Sequence, residues 1–324
     1  MSVSLTDGVP QGSILGPLLF NIFLNDLFLM VNCSFLSNYA DDNTLYTIGD
    51  SNEEIKEILR KDFETLSNWF YDNYMILNPS KCHYMFLGKN NTTSNNEFIF
   101  NNITMPVSEE EIILGVTIDN KLTFAGHIRS LCRRASQKLA ALLRVSNYLD
   151  FDKRRLMFNS MIKSQFNYCP LIWMFCSRNS NTMINKVHER SLRVVLNDSS
   201  SDFKDILEKA NETTIHVRNI QSLMTEIYKF DKGLSPPIVK DLFKTRENVF
   251  NIRNFQTFAT NTKHTTKYGT ETITYRAPQL WNQLPDDIKS STSLSVFRNK
   301  IKSWNFENCP CRLCKKYVAN VGFI

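Results

Sequence analysis

The 324-residue sequence is short of several things at once. Glycine is scarce, at 10 residues, and no internal repeat is found, which sets repeat architectures aside. Its eight cysteines (Cys33, Cys82, Cys132, Cys169, Cys176, Cys309, Cys311 and Cys314) are mostly scattered among apolar or basic residues. In a chain of this length that scatter argues against a secreted disulfide framework, and reduced intracellular thiols are the expectation. No targeting signal chooses between nucleus and cytoplasm. Only one stretch, Ile14 to Val31, is long and apolar, and Gly16-Pro17, Asn21, Asn25 and Asp26 interrupt it. A mid-span charge is costly in lipid, and no basic flank precedes the run as a signal peptide would require. A buried amphipathic helix is therefore expected, and no membrane partner.

What the chain does have is a globular balance. An apolar share of 42% with 23 phenylalanines supports a sizeable core. The net charge of +6 permits a polyanionic partner but at this size identifies none.

Along the chain, turn formers fill Leu5–Ser13 and lead into the apolar helix, with Pro17 in its first turn. Two short strand-like runs, Cys33 to Tyr39 and Thr44 to Ile48, flank Ala40-Asp41-Asp42-Asn43, which reads as a hairpin with an acidic tip. Gly49–Asn52 caps a long helix whose Ile55, Ile58, Leu59, Leu66, Trp69 and Phe70 share a face. Lys81 to Leu87 reads as a further strand ending at Gly88, and Glu97 to Ile103 with Glu111 to Ile118 as a second strand pair. Residues 121–164 then carry ten Lys/Arg against Asp150 and Asp152, on segments whose apolar spacing is helical. Helix continues to about residue 245, and a Thr/Asn-rich, more extended segment and a last short helix precede Cys309.

Adjacent carboxylates at a hairpin tip have a specific use. Mg²⁺ takes one or two carboxylates together with substrate phosphate oxygens. Two such ions flank an in-line phosphoryl displacement, one at the attacking and one at the leaving oxygen. The bland reading is that Asp-Asp-Asn is ordinary turn composition.

The neighbouring motifs decide between them. Gly8-Val9-Pro10-Gln11-Gly12-Ser13, Leu15-Gly16-Pro17-Leu18-Leu19-Phe20, Asn25-Asp26-Leu27 and Tyr39-Ala40-Asp41-Asp42 occur in order. Trp69, Leu77-Asn78-Pro79-Ser80-Lys81-Cys82, Leu114-Gly115-Val116-Thr117-Ile118-Asp119, His127-Ile128 and Tyr168-Cys169-Pro170-Leu171-Ile172-Trp173 follow them. The series closes with Tyr268-Gly269-Thr270-Glu271 and Trp281-Asn282-Gln283-Leu284-Pro285. It resembles the reverse transcriptases of LINE-type (non-LTR) retrotransposons, in their jockey-like group, from the central palm motifs onward.

That resemblance implies an α+β fold: a partial palm of antiparallel sheet and helices over residues 1–118, a helical basic thumb over 119–245, and a C-terminal extension with a Cys-rich tail over 246–324. It implies Mg²⁺ on Asp41 and Asp42, with small Ala40 beside them admitting a primer end. Lys81 would serve the leaving pyrophosphate, although a solvated lysine fits its position as well. The loop of Gly8, Pro10, Gln11 and Gly12 would lie against template and incoming nucleotide, its glycines letting backbone come close. Leu114 and Gly115 would support the primer strand. Arg129, Arg133, Arg134, Lys138 and Arg144 would contact phosphates of an RNA template and DNA primer, with deoxynucleoside triphosphates as substrates. A solvated helical face is the alternative for them.

The family's third carboxylate lies on a strand before the glycine loop, and only seven residues precede Gly8 here. Neither Asp7 nor Asp26 fits that role. A start-truncated polymerase, inactive as this fragment, is therefore expected, with a non-catalytic nucleic-acid-binding relic as the rival and an inert product as a third reading. At the far end Cys309, Cys311 and Cys314 suit Zn²⁺, which wants four ligands. The nearest further candidate by sequence is His264, so an incomplete site, a shared site and plain thiols stay open.

Overall fold

The computed structural model describes residues 8–10, 12–88, 98–100, 103–245, 258–259, 266–304, 311 and 313. The chain divides into two compact units, residues 1–110 and 111–324.

The first unit opens with helix α1 (Gly16–Phe23), continued by a 3-10 turn over Asn25–Met30. Ser13 starts α1, its hydroxyl accepting the Gly16 N–H at 3.1 Å, and Pro17 occupies the first turn. The apolar run was expected to be buried, and mostly it is not. Only Gly16, Leu24 and Leu27 are buried, while Leu15, Leu18, Leu19, Ile22 and Phe23 face outward. A helix apolar on all sides needs cover on all sides, and among the described residues the buried side chains of this region gather on one helix, α2.

Strands β1 (Phe35–Tyr39) and β2 (Asp42–Tyr46) pair antiparallel, Leu36 opposite Leu45 and Tyr39 opposite Asp42. Helix α2 (Asn52–Asp72) follows. It is capped as its sequence suggests: the Ser51 hydroxyl accepts from Glu54 N–H at 3.2 Å and the Glu54 carboxylate from Asp50 N–H at 3.0 Å. Leu66, Trp69 and Phe70 pack against Leu24 and Leu27 with Leu36 and Leu45 of the hairpin. The buried Trp69 indole donates to Asp26 at 3.3 Å, which gives that aspartate a structural duty.

Strands β3 (Phe98–Phe100) and β4 (Ile103–Met105) form a second local hairpin. The strand expected over Lys81–Leu87 is reduced to one parallel bridge, Tyr84 to Val107. Pro106 accounts for the stop on the Cys82 side: its carbonyl accepts from Tyr84 at 3.4 Å, but it has no N–H to give the Cys82 carbonyl.

In the second unit β5 (Glu110–Ile113) pairs with β6 (Val116–Asp119) rather than with the β3 region, so each sheet is a two-stranded neighbour pair. The helices α3 (Ala125–Val145), α4 (Phe151–Met157), α5 (Pro170–Trp173), α6 (Arg178–Leu196), α7 (Phe203–Ala210) and α8 (Ile215–Asp231) follow, and then α9 (Ile273–Asn282), α10 (Asp286–Lys289) and α11 (Leu294–Ser303). One core gathers Ile128, Leu131, Leu142, Phe158, Ile184 and Leu192 from α3 to α6 and beyond. The other is an aromatic series in which Tyr228 stacks on Phe297 at 4.4 Å and Trp281 lies 5.9 Å from Phe297. The buried Arg276 guanidinium pairs with Glu271 at 2.6 Å and donates to Gln279 at 3.1 Å, so the Tyr268–Trp281 motif is architecture. The Tyr168–Trp173 motif is too: the Trp173 indole donates to the Tyr168 carbonyl at 3.2 Å.

His188 on α6 lies wholly inside, stacked 6.0 Å from Phe158, and neither ring nitrogen has a hydrogen-bond partner. Burial, aided by the charges of Arg218 and Lys163, pushes its pKa down to about 3. The unfolded imidazole titrates near 6.5, so acid protonates the unfolded chain before the folded one. Stability is lost as pH falls below about 6.5, and the loss continues to about 3. Urea denaturation of His188→Leu is expected to show about 2 kcal/mol less loss between roughly pH 7 and pH 5 than the unsubstituted chain. Equal pH dependence of the two proteins would refute the assignment.

Candidate active site and nucleic-acid surface

The acidic tip is a two-residue turn, Ala40-Asp41, between β1 and β2. Ala40 takes a left-handed conformation, φ 52°, which costs a non-glycine residue about 1–2 kcal/mol. The turn holds because two amide side chains brace it. Asn38 donates to the Ala40 carbonyl at 2.8 Å and to the Asn43 side chain at 2.9 Å, and Asn43 reaches the Asp41 carbonyl at 3.4 Å.

Register then sorts the side chains. Leu36 and Leu45 face the α2 core, so Asp42, opposite Tyr39, stands on the other face with Ser37, Thr44, Phe35 and Tyr46. Asp41 and Asp42 are exposed, and neither carboxylate has a hydrogen-bond or ion-pair partner among the described residues.

The hairpin is tied to α2 by Asp62, which sequence reasoning missed. Its buried carboxylate accepts from the N–H groups of Asn32 at 3.1 Å, Cys33 at 2.9 Å and Ser34 at 2.6 Å, and from the Ser34 hydroxyl at 2.6 Å. Burial pushes the Asp62 pKa up, but these four bonds more than offset it, and the carboxyl lies below the usual value. The only signal available beforehand was an acid interrupting an apolar helix face.

Among the other expected positions, Gly8 and Gly12 have φ of 79° and 81° with open space where a Cβ would stand, and Ser13 N–H donates to the Pro10 carbonyl at 3.1 Å. Gln11 lies outside the described residues. Lys81 is exposed at the end of a 3-10 turn over Pro79–Lys81, and no hydrogen bond or ion pair joins it to either aspartate.

In the second unit Leu114 and Gly115 both have positive φ, 47° and 77°, the requirement of a tight primed turn. The Tyr168 hydroxyl donates to the Leu114 carbonyl, and its ring lies 3.6 Å from where a Gly115 Cβ would be. The hairpin leads to a second buried aspartate. Asp119 accepts from the N–H groups of Lys121, Thr123 and Phe124, the last at 2.6 Å, just ahead of α3. His127, held neutral by burial and the Arg134 charge, accepts the Thr117 N–H at 3.2 Å.

On α3 the buried face is Ile128, Leu131, Cys132, Ala135 and Leu142. Arg129, Arg133 and Arg144 fall within about 60° of one another on the opposite side. Arg134 lies to one flank, and Lys138 is half-buried at its edge. None of the five pairs with a described acid; Arg134 reaches only the Ser130 hydroxyl, at 3.2 Å.

Residues 2–124 match the family "Reverse transcriptase (RNA-dependent DNA polymerase)". The chain is 27% identical over 210 residues to "Probable RNA-directed DNA polymerase from transposon BS" of Drosophila melanogaster, an alignment covering 58% of this chain and 22% of that protein. It is 26% identical over 204 residues to "RNA-directed DNA polymerase from mobile element jockey" of Drosophila funebris, with the same coverage of 58% and 22%. A third relative is "Retrovirus-related Pol polyprotein from type-1 retrotransposable element R1 2" of Nasonia vitripennis, 24% identical over 176 residues, 51% of this chain and 43% of that one. Residues 2–124 belong to the reverse transcriptases. The chain spans about a fifth of the length of the first two relatives. No solved structure matches it.

Reverse transcriptases generally use Mg²⁺. Two exposed carboxylates suit it as hard oxygen donors, but among the described residues no group of three or more His, Cys, Asp or Glu side chains is placed to hold a metal. Cys309, Cys314 and His264 lie outside the described residues. Cys311 is buried with its Sγ 3.2 Å from Nε2 of His216, a histidine 95 residues away along the chain. Among the described residues these are two donors of the four that tetrahedral zinc takes. Elsewhere burial pushes the Cys132 thiol up to about 11 and Cys176 to about 12, which keeps both protonated. No helix among the described residues is long and apolar enough to cross a membrane.

Asp62→Asn is expected to cost the first unit about 3 kcal/mol, because an amide turns donors toward N–H groups that need acceptors. The carboxylate's contribution is present above its unfolded pKa and lost as pH falls through its depressed folded value. Urea denaturation of the variant should therefore show both lower stability and weaker acid dependence; no change in either would show that the hairpin does not depend on this anchor.

Proposed function

We propose that the β1–β2 hairpin is the metal-bearing edge of an RNA-templated DNA polymerase, with Asp41 and Asp42 as the ligands of a two-metal nucleotidyl transfer. The observation that carries this reading is the turn itself: strained backbone, fixed by Asn38 and Asn43, aims two unpartnered carboxylates at solvent. Mg²⁺ bound there would activate a primer hydroxyl and steady the leaving phosphate. The chain's own contributions are distinct from that. The Leu36–Leu45 face and Asp62 hold the tip still, Ala40 leaves room beside it, and the open backbone at Gly8 and Gly12 admits a nucleotide or template.

Arg129, Arg133, Arg134 and Arg144 then grip a primer-template duplex through its phosphates, with affinity that falls as salt rises. Helix α3 and its neighbours serve as the thumb, and the Leu114–Gly115 turn, pinned by Tyr168, supports the primer strand. Lys81 stands ready for the leaving pyrophosphate.

With two carboxylates in the described tip, the 324-residue chain by itself is read as binding nucleic acid without polymerising. The unpaired α3 cations favour that non-catalytic role independently of the hairpin. Purified chain, labelled primer-template and Mg²⁺ test both statements. Salt-dependent binding with no extension is expected; extension abolished by Asp41→Asn would overturn the inactivity while supporting the site. Absence of binding even at low salt would sink the nucleic-acid reading altogether.

A further inference from the structure

A cavity of about 340 Å³ opens in the second unit, away from the α3 arginines in sequence and lined by α8, α11 and the segment from Lys163 to Pro170. Four of its lining residues are cations, Lys163, Arg218, Arg298 and Lys302, and no acid lines it. The remaining polar lining includes Asn167, Asn219 and Gln221. Spacing explains the concentration. Arg218, Gln221, Ser222 and Thr225 recur on one face of α8, and Arg298 and Lys302 are four residues apart on α11. The two helices are tied at this place, Gln221 donating to the Lys302 carbonyl at 3.3 Å.

The cations are not equivalent. Lys163 is committed to the partly buried Glu212 carboxylate at 2.5 Å. Arg218 is half-buried; one terminal nitrogen donates to the Asn167 side chain, and the other is closed off from solvent with no hydrogen-bond partner among the described residues. It has no carboxylate within ion-pair distance, and burial lowers its pKa while the Glu212 charge raises it. Arg298 and Lys302 are exposed at the rim and form no ion pair among the described residues. A half-buried guanidinium that lines the cavity without an ion-pair partner, beside Arg298 and Lys302, which have none among the described residues either, leaves this cavity short of an anion. Arginine's planar fork matches phosphate oxygens in particular.

We propose that this cavity binds the phosphodiester backbone of a nucleic-acid strand, with Arg218 at its floor and Arg298 and Lys302 at its rim. The inference rests on the nucleic-acid reading above and adds a second, separate anchoring point to it. A cavity this size accepts about one nucleotide unit, and its open mouth lets a strand continue past it. The rim cations then meet successive phosphates.

The test is fluorescence anisotropy of labelled primer-template duplex and of single-stranded RNA against the full chain over a salt series. The rim variant Arg298→Ala/Lys302→Ala changes only exposed side chains. Arg218→Met removes the floor charge, and circular dichroism reports whether that half-buried substitution still folds. Arg129→Ala/Arg133→Ala is the comparison on α3. For the rim variant, binding is expected to weaken about tenfold near 50 mM salt, with the slope of log affinity on log salt shallower by roughly 2 units for duplex or 1.4 for single strand. Loss with one probe alone identifies which strand the cavity takes. Unchanged affinity and slope in the rim variant, with the α3 variant impaired, would overturn the cavity and leave the nucleic-acid reading standing. No binding by the unsubstituted chain would overturn both.

Discussion

A buried carboxylate that collects backbone N–H groups is the interaction on which both units depend. In the first unit Asp62 satisfies three consecutive amides at residues 32–34 and so fixes where the hairpin leaves α2. In the second, Asp119 satisfies amides at 121, 123 and 124 and so fixes where α3 begins. Buried N–H groups without partners are costly, and loops without regular pairing have many of them. A single ionised side chain meets several at once, at the expense of its own desolvation. In both cases the depressed pKa says which effect wins. The two segments held this way are those that present the acidic tip and the basic helix.

Two of the turns that carry proposed site residues break local rules. Ala40 and Leu114 sit in left-handed backbone that suits glycine better, each held by a hydrogen bond to its own carbonyl, from Asn38 in one case and Tyr168 in the other. Strain of this kind persists only where surroundings over-determine it. Charge shows the same contrast. Arg276 is buried and ion-paired with Glu271, whereas the α3 arginines and the α8–α11 rim have no acid to neutralise them among the described residues. Unpaired cations on a rigid helix face are unnecessary for folding and leave that face positively charged.

Much was legible beforehand because it is local. The acidic hairpin, the capped α2 and the amphipathic α3 follow from neighbours within a few residues, and the structure has all of them, whereas the single strand expected over Glu111 to Ile118 folds back on itself at Leu114–Gly115. The misses came from partners far apart in sequence. Whether Ile14–Val31 is covered depends on how much of α2 reaches it. The Lys81–Leu87 strand is blocked on its Lys81 side by Pro106 in its partner. Asp62 meets Ser34 across 28 residues, and Cys311 meets His216 across 95, which spacing does not encode.

The sequence by itself determined the lineage and the chemical inventory: an ordered motif series, two adjacent carboxylates in a turn, and a basic helical segment. Those are properties of residue order and need no coordinates. Only the tertiary structure decided which face Asp42 occupies, which aspartates are buried as backbone anchors, and which cations stay unpaired among the described residues. Side-chain direction follows from strand register and helix burial, and both are fixed by long-range packing.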